Sequence, residues 1–395
     1  MKKNWIDPNF ILGSVAIDSD FYIRNDIVTD IWSKLKKGNS VLLNVHRRVG
    51  KTSILLYMKQ NPIENYQLIF QNIQGINSAD EFFERIYSLL LICLSKMSKS
   101  KKWFKKFLCQ KKITQISPVN IEFKTKPVNF IEEIASLLIE INNIEEVENI
   151  VLLLDEFPEA LVNIINKSKI DASTILINLK KWRKQPEMNK KLKYVLAGSV
   201  NIRYVTDKIK KRNSDLNDIK KVELKPLSEN EAYDYIGWAT QNATVIYTPE
   251  LKKYLLSKIQ YFVPYYFNLL IDKINEQSKK VNNPSITTKN IDAAFDTIIK
   301  HSDNFKDSKK RVQDYLPAEK FKFANEILIQ IAHKGQNNLQ EIFDKAVKYN
   351  QIDDYMKIID YLERDGYLTV IEGKYRFISP FLSELWKRNN PIYNA

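Results

Sequence analysis

The sequence predicts a three-layer α/β domain built on a parallel sheet, then an all-helical segment, then a small helical domain ending in a hairpin. Three observations carry this. Continuous apolar runs of strand length recur at 41–45 (V-L-L-N-V), 67–73, 150–154 (I-V-L-L-L) and 194–197, as parallel strands covered on both faces require. Helical patterns lie between them, and strands alternating with helices give an α/β domain. Beyond residue 225 the strand-like runs stop until 367–371 and 375–378, which flank Glu372-Gly373 behind three helical patterns at 321–334, 339–347 and 353–364. Two short runs around a Gly-bearing turn make a hairpin. The expected divisions are 1–224, 225–303 and 315–395. The polar, charged stretch at 301–312 sets a linker at 304–314.

Local signals place the helices. Ser78-Ala79-Asp80-Glu81 and Ser228-Glu229-Asn230-Glu231 read as capping boxes, in which hydroxyl and carboxylate satisfy the free amides of a first turn. Thr248-Pro249 sets an N-cap with proline at the first helical position, and Pro264 opens the apolar run 265–271. At 395 residues, 44% hydrophobic and 27% charged, the chain has globular composition and room for two or three domains. Two cysteines, Cys93 and Cys109, make no disulfide framework, and three scattered histidines make no zinc set. The start lacks an apolar signal core, and the longest apolar run, near 89–94, falls far short of the ~20 residues a span needs. The expectation is a soluble, cytoplasmic protein without a membrane span. A net charge of +14 suits anionic partners such as nucleotides, nucleic acid or acidic lipid, and equally fits a Lys-, Asn- and Ile-rich coding bias.

The strongest motif is V-H-R-R-V-G-K-T, Val45, His46, Arg47, Arg48, Val49, Gly50, Lys51 and Thr52, between a strand and the helical run that begins at Ser53. A phosphate needs donors aimed at one point, and a strand-to-helix loop offers backbone N–H groups and the positive end of a helix dipole. Gly50 admits the phosphates without a side chain, Lys51 reaches the β- and γ-phosphates, and Thr52 places a hydroxyl where Mg²⁺ sits. Val45 stands where the first glycine of G-x-x-x-x-G-K-[ST] belongs. A β-branched residue resists positive φ, so the loop must turn differently there.

The second motif, I-V-L-L-L-D-E at 150–156, ends an apolar strand in two carboxylates. That is the carboxyl edge where open α/β sheets bind ligands. Asp155 would hold Mg²⁺ through its hydration shell, and Glu156 would orient and deprotonate an attacking water. A third strand end, Y-V-L-A-G-S-V-N at 194–201, offers Ser199 or Asn201 to the γ-phosphate or the water.

Together these motifs resemble the prokaryotic AAA+/STAND-type P-loop ATPases, the archaeal-type ATPase family, in order and spacing over nearly the whole chain. The shared features are the Arg-Arg-x-Gly-Lys-Thr loop, Asp155-Glu156-Phe157-Pro158, Gly198-Ser199 and Leu224-Lys225-Pro226-Leu227-Ser228. The resemblance implies a P-loop NTPase core (AAA+-like), a helical lid and a C-terminal winged-helix domain, with ATP and Mg²⁺ as ligands. It places Phe21-Tyr22-Ile23-Arg24 near the adenine and gives Phe262-Val263-Pro264 the position of the lid's G-x-P motif, without its glycine. Tyr375-Arg376-Phe377, Ser379-Pro380-Phe381-Leu382 and Trp386 match the winged-helix ending. ATP hydrolysis would drive a conformational switch or assembly into a homo-oligomer, slowly until activated. Arg183, Arg203 and Arg212 are all candidates for an arginine finger.

Lys96, Lys99, Lys101, Lys102, Lys105, Lys106, Lys111 and Lys112 surround Trp103, Phe104 and Phe107 with no acid between. Such a segment, 96–112, suits DNA through phosphate contacts and base stacking, an acidic membrane surface, or a solvated insertion whose aromatics pack inward. The third helix of the winged-helix domain carries Asp353, Asp354, Asp360, Glu363 and Asp365 against Lys357 and Arg364. Phosphates repel such a helix, so the domain is expected to contact a protein partner or the lid. A DNA-engaged ATPase of transposition, repair or defence, a nucleotide-gated transcription regulator, and a scaffold that no longer binds nucleotide are the competing readings.

Overall fold

The computed structural model describes residues 5–44, 48–97, 101–116, 121–123, 129–200, 202–209, 215–301 and 305–393. It divides into two compact units, one of 23–45 and 51–224, the other of 1–22, 46–50 and 225–395.

The first unit runs α1 (Asn25–Lys36), β1 (Val41–Asn44), α2 (Lys51–Gln60), β2 (Tyr66–Asn72), α3 (Ala79–Lys96) and α4 (Lys101–Gln110). A hairpin of β3 (Ile113–Ile116) and β4 (Ile121–Phe123) follows, then α5 (Phe130–Asn142) and β5 (Asn149–Asp155). It continues through α6 (Phe157–Lys167), α7 (Lys169–Lys184), α8 (Pro186–Asn189), β6 (Leu192–Gly198), α9 (Ile202–Asp207) and β7 (Lys220–Val222). The sheet order is β2-β5-β6-β1-β7, and every neighbouring pair is parallel. β6 is buried throughout and β5 from Ile150 on, whereas edge strand β2 is half-buried. All four predicted strands are present. Asn44 lies opposite Gly198, and Leu154 opposite Leu196. The exits of β1, β5 and β6 therefore gather at one edge of the sheet.

The structure adds what apolar runs could not announce. β7 is three residues long with two exposed lysines, Lys220 and Lys221; pairing with β1, not composition, makes it a strand. Ser78 caps α3 by accepting from Glu81 N at 3.2 Å, but the Glu81 carboxylate accepts from Asn77 N, so this box closes one residue early. In α4, Phe104 and Phe107 are buried and Trp103 Nε1 donates to Glu140 Oε1 at 2.9 Å. Phe104 and Phe107 pack inward, which removes the base-stacking role considered for them, while Trp103 is half-buried. Lys102, Lys105 and Lys106 remain exposed, and Lys111 pairs with Glu133.

The second unit runs α10 (Glu229–Thr240), α11 (Pro249–Ile259), α12 (Pro264–Lys280), α13 (Thr288–His301) and α14 (Lys306–Tyr315). It ends with α15 (Ala318–Lys334), β8 (Asn337–Asn338), α16 (Leu339–Lys348), α17 (Tyr355–Arg364), β9 (Leu368–Ile371), β10 (Lys374–Phe377) and α18 (Pro380–Asn389). The Ser228 box forms in full, and Thr248 caps α11 with Pro249 in its first turn. Strands β8, β10 and β9 make a small antiparallel sheet in that order.

Two expectations about boundaries are corrected. The linker expected at 304–314 is largely helix α14, with Phe305 and Val312 wholly buried. Phe305 stacks on Phe381 at 5.8 Å and Tyr266 on Phe381 at 5.3 Å, while Tyr367 Oη donates to the Ser308 carbonyl at 2.8 Å. A polar composition hid a helix whose few apolar residues all face inward. The segment 1–22 also groups with the helices rather than the sheet. Trp5 Nε1 donates to Asn275 Oδ1, Asn9 N to the Ala239 carbonyl and Thr244 N to the Ile6 carbonyl. An extended segment has no periodicity to reveal where it docks.

Candidate functional site

β1 leads through 45–50 into α2, and the turn is made by residues with positive φ. Gly50 has φ 94° and Arg48 φ 69°. Nothing lies within 4 Å of where a Gly50 Cβ would stand; the glycine answers backbone conformation, not crowding. Val45, His46 and Arg47 lie outside the described residues. Val49 is buried. The Arg48 guanidinium sits 4.0 Å from the Tyr265 ring centre and 5.8 Å from that of Phe305, so its charge is directed at aromatic faces of its own unit.

Lys51 and Ser53 are buried in the first turn of α2. Thr52 Oγ1 donates to Asp155 Oδ2 at 2.6 Å across 103 residues of sequence. Asp155 is completely buried at the end of β5 and its Oδ1 accepts from Glu156 N at 3.1 Å. Burial raises the Asp155 pKa, against the lowering effects of the Thr52 hydroxyl and the Lys51 charge. The two halves of the predicted site, 103 residues apart, thus meet as one cluster of lysine, hydroxyl and carboxylate.

Glu156 adopts φ 58°, ψ 34° at the N-cap of α6, a left-handed conformation that costs a non-glycine residue about 1–3 kcal/mol and is held by its surroundings. Burial, then the neighbouring Glu159, pushes its carboxyl up to about 8. Glu159 was not singled out in the sequence. It is 4% exposed and its Oε1 accepts three hydrogen bonds, from Ser199 N (3.0 Å), Ser199 Oγ (2.7 Å) and Val200 N (3.0 Å). Although burial works against it, bonds from Glu156 and Ser199 hold the Glu159 carboxyl below the usual range. The available signal was the spacing: D-E-F-P-E sets Glu156 and Glu159 three apart at a helix start, on one face.

The hydroxyl hydrogen of Ser199 is therefore engaged with Glu159, so Ser199 reaches the cluster through that carboxylate; Asn201 lies outside the described residues. Arg24 is buried 3.5 Å from Asp26 ahead of α1. Tyr22, edge-on to Tyr235 and Trp238, belongs to the other unit, as does Pro264 at the start of α12. The expected adenine segment thus straddles the division between units. Arg183 is buried in a two-point ion pair with Asp218 and donates to the Asp215 carbonyl, which removes it from the arginine-finger candidates. The side chain of Arg203 and all of Arg212 lie outside the described residues.

Comparison with known proteins follows this geometry. No protein-family model and no curated protein matches the chain. Among solved structures, it is similar to the Walker-type ATPase PABY2304 of Pyrococcus abyssi, at 14% identity and TM-score 0.63, covering 96% of this chain and 99% of that one. It is also similar to the ORC2 protein of Aeropyrum pernix in ADPNP–ADP complexes, at 11% identity and TM-score 0.54, covering 98% and 96%. The chain has the AAA+ P-loop fold. At these identities the likeness speaks for architecture, and the chemistry rests on the residues above. The donor set fits Mg²⁺, which takes oxygen ligands, keeps several waters and needs only one or two protein groups beside phosphate; the paired Thr52 hydroxyl and Asp155 carboxylate are such groups. No helix among the described residues is long and apolar enough to cross a membrane.

Proposed function

We propose that this chain binds ATP with Mg²⁺ at the Lys51–Thr52–Asp155–Glu156 cluster and hydrolyses it. The observation that carries this is the Thr52–Asp155 hydrogen bond. It joins the helix that begins after the glycine loop to the strand that ends in two acids. In this reading the amides at the start of α2 and the Lys51 ammonium take the phosphates, with Gly50 leaving the approach open. Thr52 and Asp155 would hold Mg²⁺, which when bound would neutralise phosphate charge. Glu156 orients the water and accepts its proton, the role for which a carboxyl with a raised pKa is suited. Rate enhancement comes from positioning and charge, with no covalent step on the protein.

Turnover is expected to be slow in the isolated chain. Arg183 is committed to Asp218, and a charge supplied by a neighbour is worth ~10³–10⁵ in rate. Assembly of copies or a protein partner would supply it, and the nucleotide would bias a switch within the chain. The C-terminal three helices and hairpin are read as a winged helix serving protein contact, since α17 begins and ends among acids. The test is ATP binding and hydrolysis over a range of protein concentrations, with and without DNA. Lys51→Ala is expected to lose ATP binding, and Glu156→Gln to keep binding while losing turnover by about 100-fold or more. Wild-type binding and turnover in Lys51→Ala would refute the site.

A further inference from the structure

The Glu159 carboxylate holds the exit of β6 from the first turn of the helix that the proposed base caps. On one side Oε1 gathers every donor of the Ser199–Val200 turn: two amides and a hydroxyl, at 2.7–3.0 Å. On the other, Glu159 stands in the first turn of the helix that Glu156 caps, and each carboxyl keeps a buried oxygen, Glu156 Oε2 and Glu159 Oε2, that no hydrogen bond occupies. The contact is rigid. Gly198 packs so closely on the start of α6 that an added Cβ would stand 2.2 Å from Pro158 Cδ and 2.7 Å from Glu159 Oε2. Glu156 is meanwhile held in a left-handed conformation at the foot of the same helix. A buried carboxylate that only stabilised the fold would need donors. This one takes them from a single loop, the end of the strand between β1 and β5.

We propose that Glu159 is a positioning residue that couples Glu156 to the end of β6, so that a change at the base when a nucleotide binds and a movement of the Ser199 turn are linked through it. This rests on the ATPase reading and deepens it. Ser199 would then act through Glu159, its hydroxyl serving as the coupling element. Displacing the Ser199 turn loosens up to three bonds at once, and the Glu159 carboxyl is then free to shift against Glu156. Misplacing a catalytic group by about 1 Å costs on the order of 100-fold in rate.

The test compares Glu159→Ala, Glu159→Gln, Ser199→Ala and the Glu159→Ala/Ser199→Ala pair in the full chain. Three measurements are made: ATP affinity, kcat and KM, and hydrogen exchange of the 196–200 peptide with and without ATP·Mg²⁺. Glu159→Ala should lower kcat about 100-fold while KM stays within about twofold. Glu159→Gln keeps an acceptor for all three donors and should recover most of the rate. The double variant should be no slower than Glu159→Ala, because both changes cut one link. ATP should change exchange at 196–200 in wild type and Glu159→Gln but not in Glu159→Ala, a readout that a purely structural role would not move and that does not require turnover. Multiplying rate losses, equal changes in KM and kcat, or an unchanged ATP response in Glu159→Ala would overturn the coupling alone. A wild-type chain that fails to bind ATP would overturn the site reading and the coupling with it.

Discussion

Replacing Gly198 with alanine isolates one contact. Gly198 lacks a positive φ, so its backbone suits alanine, and such a change in open space stabilises by about 0.4–1 kcal/mol through the unfolded chain. Here the new Cβ would lie 2.2 Å from Pro158 Cδ, 2.6 Å from Pro158 Cγ and 2.7 Å from Glu159 Oε2, where carbon atoms settle at about 3.5–4.0 Å. Neither neighbour can swing aside. Pro158 is a ring fixed in the first turn of α6, and Glu159 is held by three donors. Forced overpacking costs about 1–3 kcal/mol, and displacing two anchored groups puts this site near the upper end. A net loss of about 2–3 kcal/mol is expected. In a unit of this size each kcal/mol moves Tm by about 2–4 °C, so Tm should fall by about 5–10 °C. Gly75, in the same unit with nothing within 4 Å of its would-be Cβ, is the control; Gly75→Ala should be neutral or slightly stabilising. Calorimetry, with urea unfolding as a second measure, reads both. A Gly198→Ala protein melting within about 1 °C of wild type would refute the packing argument and weaken the coupling built on it.

Two further outcomes follow from buried charge. Arg183→Ala removes the buried partner of the half-buried Asp218 and frees the Asp215 carbonyl, so urea unfolding should show a loss of about 2–3 kcal/mol; a change below about 1 kcal/mol would contradict that pairing. Glu156 has its pKa raised from 4.5 to about 8, chiefly by burial and then by Glu159. A raised folded value means the native state holds the proton longer, so this stabilising contribution is present below pH 4.5 and lost as pH rises through about 8. Discounted for partial solvent access, it amounts to about 1–2 kcal/mol. Glu156→Gln, which cannot titrate, should flatten that part of the nucleotide-free stability profile, and an identical slope in both proteins would show that Glu156 is ionised throughout.

The sheet was readable because its central strands are buried on both sides, and 150–154 and 194–197 carry almost nothing but apolar residues. The site was readable for a different reason: Gly50-Lys51-Thr52 opens the helix after one strand and Asp155-Glu156 ends another, and strand exits on one edge of a parallel sheet gather together. Glu159 escaped notice because a glutamate in the first turn of a helix has an ordinary local use there, favoured by the helix dipole. Only the fold reveals that its partners come from β6. Residues 304–314 misled because composition averages over a helix. Phe305 and Val312 are few among charges, but they are the ones that face inward. Local patterns find what a segment buries within itself; they cannot find what buries it.

The aromatic stack of Tyr266, Phe305 and Phe381 bears on how this protein can be dissected. A fragment ending at residue 303 would strip Phe305 and Phe381 from Tyr266 and bare Phe295, which now meets Phe381 at 4.5 Å. Such a fragment would present a sticky ring-lined surface and precipitate or borrow a neighbour. The second unit is therefore expected to fold only as a whole, and a chimera cut at residue 303 would have to carry matching rings on both sides.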